Sequence, residues 1–227
     1  MDLRLISLFI VAGFLQFSEA KPGEPIIATF SIVARDSTTG ELGVAVQSKF
    51  IAVGSAVPFA EAGVGAIASQ AWGNVRYGPV GLELLSKGKT PEEVTRLMTD
   101  ADPRRAQRQV GVIGIEGNAS IHTGKKCMDW AGGQTGPDYA VQGNILTGPE
   151  VTKAMAQAFE DANGTLAERM IISLRAGQKA GGDKRGRQSA ALLVVRKRWG
   201  YGGLNDRFRD LRVDDHPTPI EELDRIY

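Results

Sequence analysis

Apolar and polar positions along the chain separate into short β-like runs and longer helix-like runs. Thr29 to Ala34 is rich in β-branched and apolar residues and predicts a strand. A turn cluster, Arg35-Asp-Ser-Thr-Thr-Gly-Glu41, follows. Leu42 to Ser48 then alternates around Val44 and Val46, as the returning arm of a hairpin should. Val53 to Ala60 and Gly63 to Ser69 predict two further short strands. Gln109 to Ile115 and Asn118 to Thr123 predict a second hairpin with Glu116-Gly117 in its turn. Tyr139 to Gln142, Ser189 to Arg196 and Leu211 to Val213 complete the expected strands.

Helical spacing begins after Pro79, with Leu82, Leu84 and Leu85 between Gly81 and Lys87. Thr90-Pro91-Glu92-Glu93 is a helix start: a hydroxyl N-cap, proline at the first position and glutamate at the third. That helix is expected to run to about Thr99. Pro149 to Ala162 places Val151, Met155, Ala158 and Phe159 on one face. Leu166 to Ala180 does the same with Met170, Ile171 and Leu174, and Gly181-Gly182 closes it. Pro217 to Ile226 predicts a terminal helix. The strands fall in hairpins rather than alternating one by one with helices, so the expected class is α+β, with helices on sheet faces.

The first residues belong to neither pattern. Leu5 to Phe17 is almost wholly apolar, yet shorter than the roughly 20 residues a spanning helix needs. Ser18-Glu19-Ala20 follows, with small residues where a signal peptidase reads. Residues 1–20 are therefore expected to be a signal peptide, 21–28 a short pro-segment or linker, and 29–227 one domain. The expected location is secreted or periplasmic, with no stable membrane insertion.

Composition adds little that is unusual. The chain has 227 residues, 42% hydrophobic and 23% charged, with a formal net charge of +1. That balance gives no reason to expect nucleic acid as a partner. Cys127 is the only cysteine, so no internal disulfide exists and stability must come from the core.

Most familiar catalytic sets are absent. There is no phosphate-binding glycine loop. The only histidines, His122 and His216, lie far apart without metal-ligand spacing, and no metal or other cofactor is expected. A Cys127–His122 thiol pair is one reading, against which stands the usual burial of free cysteine. Thr29 offers a different route. An N-terminal threonine supplies a hydroxyl nucleophile, and its own α-amine, with a pKa near about 7.7–8.0, accepts the proton. That needs no histidine, but it needs a cut between Ala28 and Thr29.

Several motifs favour the threonine. Thr29-Phe-Ser-Ile-Val-Ala-Arg-Asp36, Gly40-Glu-Leu-Gly-Val-Ala-Val-Gln-Ser-Lys-Phe50 and Gly63-Val-Gly-Ala-Ile-Ala-Ser-Gln-Ala-Trp72 together resemble one family. So do His122-Thr-Gly124, Cys127-Met-Asp-Trp-Ala-Gly132, Val141-Gln-Gly-Asn144, Ala180-Gly-Gly-Asp-Lys-Arg-Gly-Arg-Gln-Ser-Ala190 and Asp210-Leu-Arg-Val-Asp-Asp-His-Pro217. The family is the domain of unknown function numbered one thousand and twenty-eight. The resemblance covers nearly all of Thr29 to Tyr227. It implies an N-terminal-nucleophile (Ntn) hydrolase-like αββα four-layer sandwich of two antiparallel sheets. In many such relatives the corresponding threonine directly follows the initiator methionine; this chain departs by carrying residues 1–28 ahead of it.

Residue roles follow as expectations. Lys49, after the second strand, would lower the pKa of the nucleophile from nearby. Asp183 and Ser189, with Arg187, resemble the helix-to-strand turn that approaches the amine in the proteasome-like branch. Asn144 would offer an amide donor to an oxyanion. The expected function is an amidohydrolase acting on a small amide or peptide outside the cytoplasm. The alternative is a non-catalytic secreted binding module on the same scaffold; either is compatible with a homo-oligomer.

Overall fold

The computed structural model describes residues 29–227, so the expected signal peptide and pro-segment lie outside the described residues. Among the described residues, ten strands form two antiparallel sheets. The first holds β1 (Thr29–Arg35), β2 (Leu42–Ser48), β7 (Gly132–Gly136), β8 (Tyr139–Asn144), β9 (Ser189–Val195) and β10 (Arg207–Val213), in the order β10-β9-β2-β1-β8-β7. The second holds β3 (Pro58–Glu61), β4 (Gly65–Ala71), β5 (Arg108–Gly114) and β6 (Ala119–Thr123), in that order.

Period-two alternation decides which side chain enters which layer. Along β1, Phe30, Ile32 and Ala34 face outward into a core with Met155, Phe159, Met170 and Leu174. Those residues come from α3 (Glu150–Asp161) and α4 (Leu166–Lys179), which cover the six-stranded sheet with α5 (Pro219–Ile226). Val33 points the other way and meets Leu42, Val44, Ala66 and Ile113 between the sheets. On the far side of the four-stranded sheet, Ile67, Val110 and Val112 pack against Tyr77, Leu85, Val94 and Met98. The last four belong to α1 (Tyr77–Ser86) and α2 (Pro91–Asp100). The layers therefore run helix, sheet, sheet, helix: an α+β sandwich.

Local chemistry explains the helix starts. Thr90 accepts from the Glu93 backbone N–H while the Glu93 carboxylate accepts from Thr90 N–H, and Thr165 and Glu168 repeat this reciprocal cap on α4. Close approach of α4 to the sheet depends on Gly43, where an added Cβ would lie 2.6 Å from the Met170 methyl.

Three segments differ from the sequence expectation. Val53 to Ala60 is a 3-10 turn at Val53–Ser55 followed by the short β3, because Ala52 takes a left-handed φ of 51° and breaks the extended run. β7 has no apolar alternation to reveal it; it is a glycine-rich edge strand paired only with β8. β10 starts at Arg207, four residues before the apolar pattern does, since an edge strand can carry Arg207, Arg209 and Asp210. Among the described residues, no helix is long and apolar enough to cross a membrane.

Candidate functional site

Thr29 opens β1, the strand flanked by β2 and β8. Register puts Ser48 opposite it on β2 and Asn144 opposite it on β8, and Ser48 in turn opposite Ser189 on β9. Four polar residues, Asn144, Thr29, Ser48 and Ser189, thus form one row across four strands. All are buried, none more than 1% exposed, where a typical buried row would be apolar. Thr29 Oγ1 donates to Ser48 Oγ at 3.2 Å, and the parity they share with Val33, Val44 and Val46 puts the row on the inter-sheet side.

The facing sheet answers with amides. Gln70 Nε2 donates to the Thr29 carbonyl at 3.2 Å and to Gln109 Oε1 at 2.8 Å. Gln70 Oε1 accepts from Ser31 Oγ at 2.7 Å. Asn144 Nδ2 donates to the same Gln109 oxygen at 3.1 Å, while Gln109 Nε2 donates to the Gly143 carbonyl at 2.8 Å. Gln142 Nε2 reaches the Ala68 carbonyl at 2.9 Å across the space left by Gly111, where a Cβ would come within 3.3 Å of the Gln142 amide carbon. Pairing of buried amides fixes their positions; Gln70 and Gln109 use both ends of theirs, whereas Gln142 uses only its nitrogen and leaves Oε1 without a partner among the described residues.

The expected site residues divide into those inside this row and those beside it. Thr29, Asn144 and Ser189 are brought into it. The Ser189 hydroxyl is committed to backbone: it donates to the Phe50 carbonyl at 2.5 Å and accepts from Val53 N–H at 3.1 Å. Asn144 is committed to Gln109. Lys49 lies one residue past the row; its side chain is exposed, with Nζ 3.5 Å from the Arg187 carbonyl. Asp183 is buried and accepts from Lys49 N–H at 3.0 Å and from the Arg185 guanidinium at 3.0 Å. It anchors the segment after Ser48. Arg187 is exposed and lies 3.9 Å from Glu221.

Backbone strain gathers at the same end. Ala52, Ala71 and Ile145 have left-handed φ values of 51°, 66° and 53°, and they fall just beyond β2, at the last residue of β4 and just beyond β8. Each costs about 1–2 kcal/mol, and such residues tend to persist where function needs a particular backbone path.

Neither histidine serves the row. His122 Nε2 lies 3.0 Å from the Arg105 carbonyl, and His216 Nδ1 accepts from Thr218 N–H at 3.1 Å. Cys127 is half-buried, and its Sγ donates to the Arg108 carbonyl at 3.3 Å. Burial pushes its thiol pKa up, the opposite of what a thiolate nucleophile needs. A second polar cluster surrounds Asp102. Burial alone would raise the pKa of its carboxyl. Bonds from Arg104 N–H, Arg108, Asn74 and Tyr77 outweigh that and hold it below its ordinary value. That carboxylate is fully engaged and braces the base of α1.

Sequence reasoning missed Ser48 as the partner of Thr29, and missed Ser31, Gln70, Gln109 and Gln142. A signal was present. Gln70 and Gln109 stand at inward positions of strands whose other inward residues are small or apolar, and Gln142 stands between Ala140 and Asn144.

A strand-initial threonine between two sheets and two helical layers is the architecture of the Ntn-hydrolase-like class. The family model described as a family of unknown function (DUF1028) matches residues 29–223, and the chain belongs to that family. A crystal structure of a Silicibacter pomeroyi protein of the same family is similar throughout. It is 33% identical, with 88% of each chain covered and a TM-score of 0.80. No curated protein matches the chain.

Proposed function

We propose that the protein is an N-terminal-nucleophile amidohydrolase that acts on a small amide or peptide outside the cytoplasm, with Thr29 as nucleophile. The observation that carries this reading is the buried polar row. A hydroxyl at the first residue of a central strand is held by Ser48 and faced by ordered amides, with no imidazole bonded to it among the described residues. A hydroxyl without a neighbouring imidazole needs another base, and a free α-amine on the same residue supplies one. The family match opens at the same residue. In the reaction, Thr29 Oγ attacks the amide carbonyl, its proton passes through the α-amine to the leaving nitrogen, and water hydrolyses the resulting ester. Thr29 is fully buried, so this reading requires the cut before it that would free its amine.

The test is intact mass and N-terminal sequencing of exported protein, followed by an electrophilic threonine-reactive probe. The expected mature chain begins at Thr29 and is labelled there. Thr29→Ala is expected to lower labelling and amide hydrolysis by at least about 10³-fold, with Thr29→Ser partly active. Active protein beginning at Lys21 would overturn the mechanism and leave the binding module.

A further inference from the structure

A hollow of about 400 Å³ opens between α1 and α2, the helices that cover the four-stranded sheet. Its lining has two parts. Val80 and Leu84 of α1, with Leu97 and Met98 of α2, make an apolar wall. Asn74, Arg76 and Tyr77 at the start of α1, with Asp102 after α2, make a polar end. None of these residues belongs to the polar row at Thr29.

The polar end holds one group with donors to offer. Asp102 already accepts from Arg104 N–H, Arg108 Nε, Asn74 Nδ2 and the Tyr77 hydroxyl, so four donors occupy its two oxygens. Asn74 Oδ1 accepts from Arg76 N–H. The Tyr77 hydroxyl keeps its proton: burial, and then the bond to Asp102, push its pKa above the ordinary value. The Arg76 side chain is exposed at the mouth, and among the described residues it makes no ion pair.

The acids around the hollow are already matched. Asp102 is paired with Arg108, Asp100 with Arg96, and Glu83 on α1 with Lys87. Glu92 and Glu93 lie at the far end of α2. Arg104 and Arg105 are exposed on the turn beyond Pro103. Arg105 is near enough to act on Tyr77, where its charge and that of Arg108 oppose the upward shift. The rim is therefore positive, and a positive rim gathers anions.

We infer that this hollow binds an amphipathic anion, an aliphatic carboxylate of medium length whose chain lies on Val80, Leu84, Leu97 and Met98 and whose carboxylate pairs with Arg76. A saturated Asp102 leaves nothing for a cationic ligand to bond. A guanidinium is donor-only, and its planar fork fits the two oxygens of a carboxylate. The volume falls within the range of small-molecule sites, roughly 300–1,000 Å³. An exposed ion pair contributes little by itself, so the apolar wall supplies most of the affinity and Arg76 the preference for charge. The site does not rest on the amidohydrolase reading.

The experiment labels the methionine methyls of the full chain with carbon-13 and titrates it with octanoate, hexanoate and octylammonium at neutral pH. Met98 lines the hollow, whereas Met155 and Met170 lie in the core beneath α3 and α4 and serve as controls. Octanoate is expected to shift Met98 alone and to bind roughly tenfold more tightly than hexanoate. Octylammonium, with the same chain length and the opposite charge, should bind several-fold more weakly than octanoate. Arg76→Gln should weaken octanoate roughly two- to fivefold without weakening octylammonium. Ala101→Trp, at the exposed rim, should block both while Met155 and Met170 keep their positions. No shift at Met98, equal shifts at all three methyls, or equal binding of the two charges would overturn the inference. Unchanged octanoate binding in either variant would do the same. So would broadening of the Met98 signal with protein concentration before ligand is added, because a second chain would then cover the hollow.

Discussion

At one end of the space between the sheets, the facing residues of β8, β1 and β2 are Asn144, Thr29 and Ser48. Four residues further along the strands they are Ala140, Val33 and Val44. The change takes roughly 14 Å of strand. The second sheet changes in step, from Gln70 and Gln109 to Ala66 and Ile113. Both ends are buried, so burial cannot explain the difference. The apolar end joins the sheets by a force proportional to area and indifferent to direction. The polar end joins them by directed bonds whose net contribution is modest, about 1 kcal/mol each, and whose failure is costly. An apolar filling would serve cohesion at least as well. Directed bonds serve position, and the strained residues Ala52, Ala71 and Ile145 lie at the polar end as well.

The two ends should therefore respond differently to substitution. The largest effect on folding is expected from Ile113→Ala at the apolar end, a loss of about 2–5 kcal/mol in urea denaturation. Labelling of Thr29 in the molecules that remain folded should not change, because distant sites act independently. A parallel fall in labelling would show that the two ends are coupled.

Gln109→Leu should cost less, about 1–3 kcal/mol, and should slow Thr29 labelling. The substitution keeps volume but removes the oxygen shared by Gln70 and Asn144 and the donor to the Gly143 carbonyl. Normal labelling in a stably folded Gln109→Leu protein would mean that the amides fill space and do not position Thr29.

A smaller effect tests, by pH, the helix-covered face of the same sheet behind the apolar end. Tyr139 begins β8, far from Asn144, and its hydroxyl donates to Glu160 at 2.5 Å. Burial, and then the bond to Glu160, push its pKa from 10.0 to about 12. The folded state thus holds this proton more tightly than the unfolded chain. The stabilisation is whole below pH 10 and is lost as pH rises through about 12. Tyr139→Phe should cost about 1 kcal/mol at neutral pH. The difference from the parent should shrink in alkaline melts, while Thr29 labelling at neutral pH stays unchanged.

How much of this was legible in the sequence follows the same division. The apolar end was readable because alternation records burial directly: Val44 and Val46 marked β2, and the Thr90–Glu93 cap marked α2. Thr29 is singled out by the chemistry of an N-terminal hydroxyl and by motif resemblance, Ser189 by the resemblance, and Asn144 as an amide donor just after a predicted strand. Their alignment in one row depends on strand register between segments more than a hundred residues apart, which no local pattern encodes. Ser48 and Lys49 show the limit most clearly. The sequence places them side by side, and only the pairing of β2 with β1 decides which one faces Thr29. The glutamines were overlooked because a polar residue in a strand is ordinarily read as solvent-facing.

The smallest expected effect concerns Cys127, which lies at the polar end without joining its row. Its backbone is tied to the Gly124 carbonyl and its thiol to the Arg108 carbonyl, next to Gln109. Among the described residues it makes no hydrogen bond to His122, whose ring is spent on Arg105. With its pKa raised by burial, the thiol should react with iodoacetamide far more slowly in folded protein at neutral pH than in denatured protein. Cys127→Ala removes one half-buried sulfur and a weak donor, so the expected loss is at most about 1 kcal/mol. Labelling of Thr29 should be intact. Fast alkylation of the folded protein, with activity lost in Cys127→Ala and structure retained, would move the nucleophile from the threonine row to the cysteine loop. The polar amides would then be holding the wall of a thiol site rather than the floor of a threonine one.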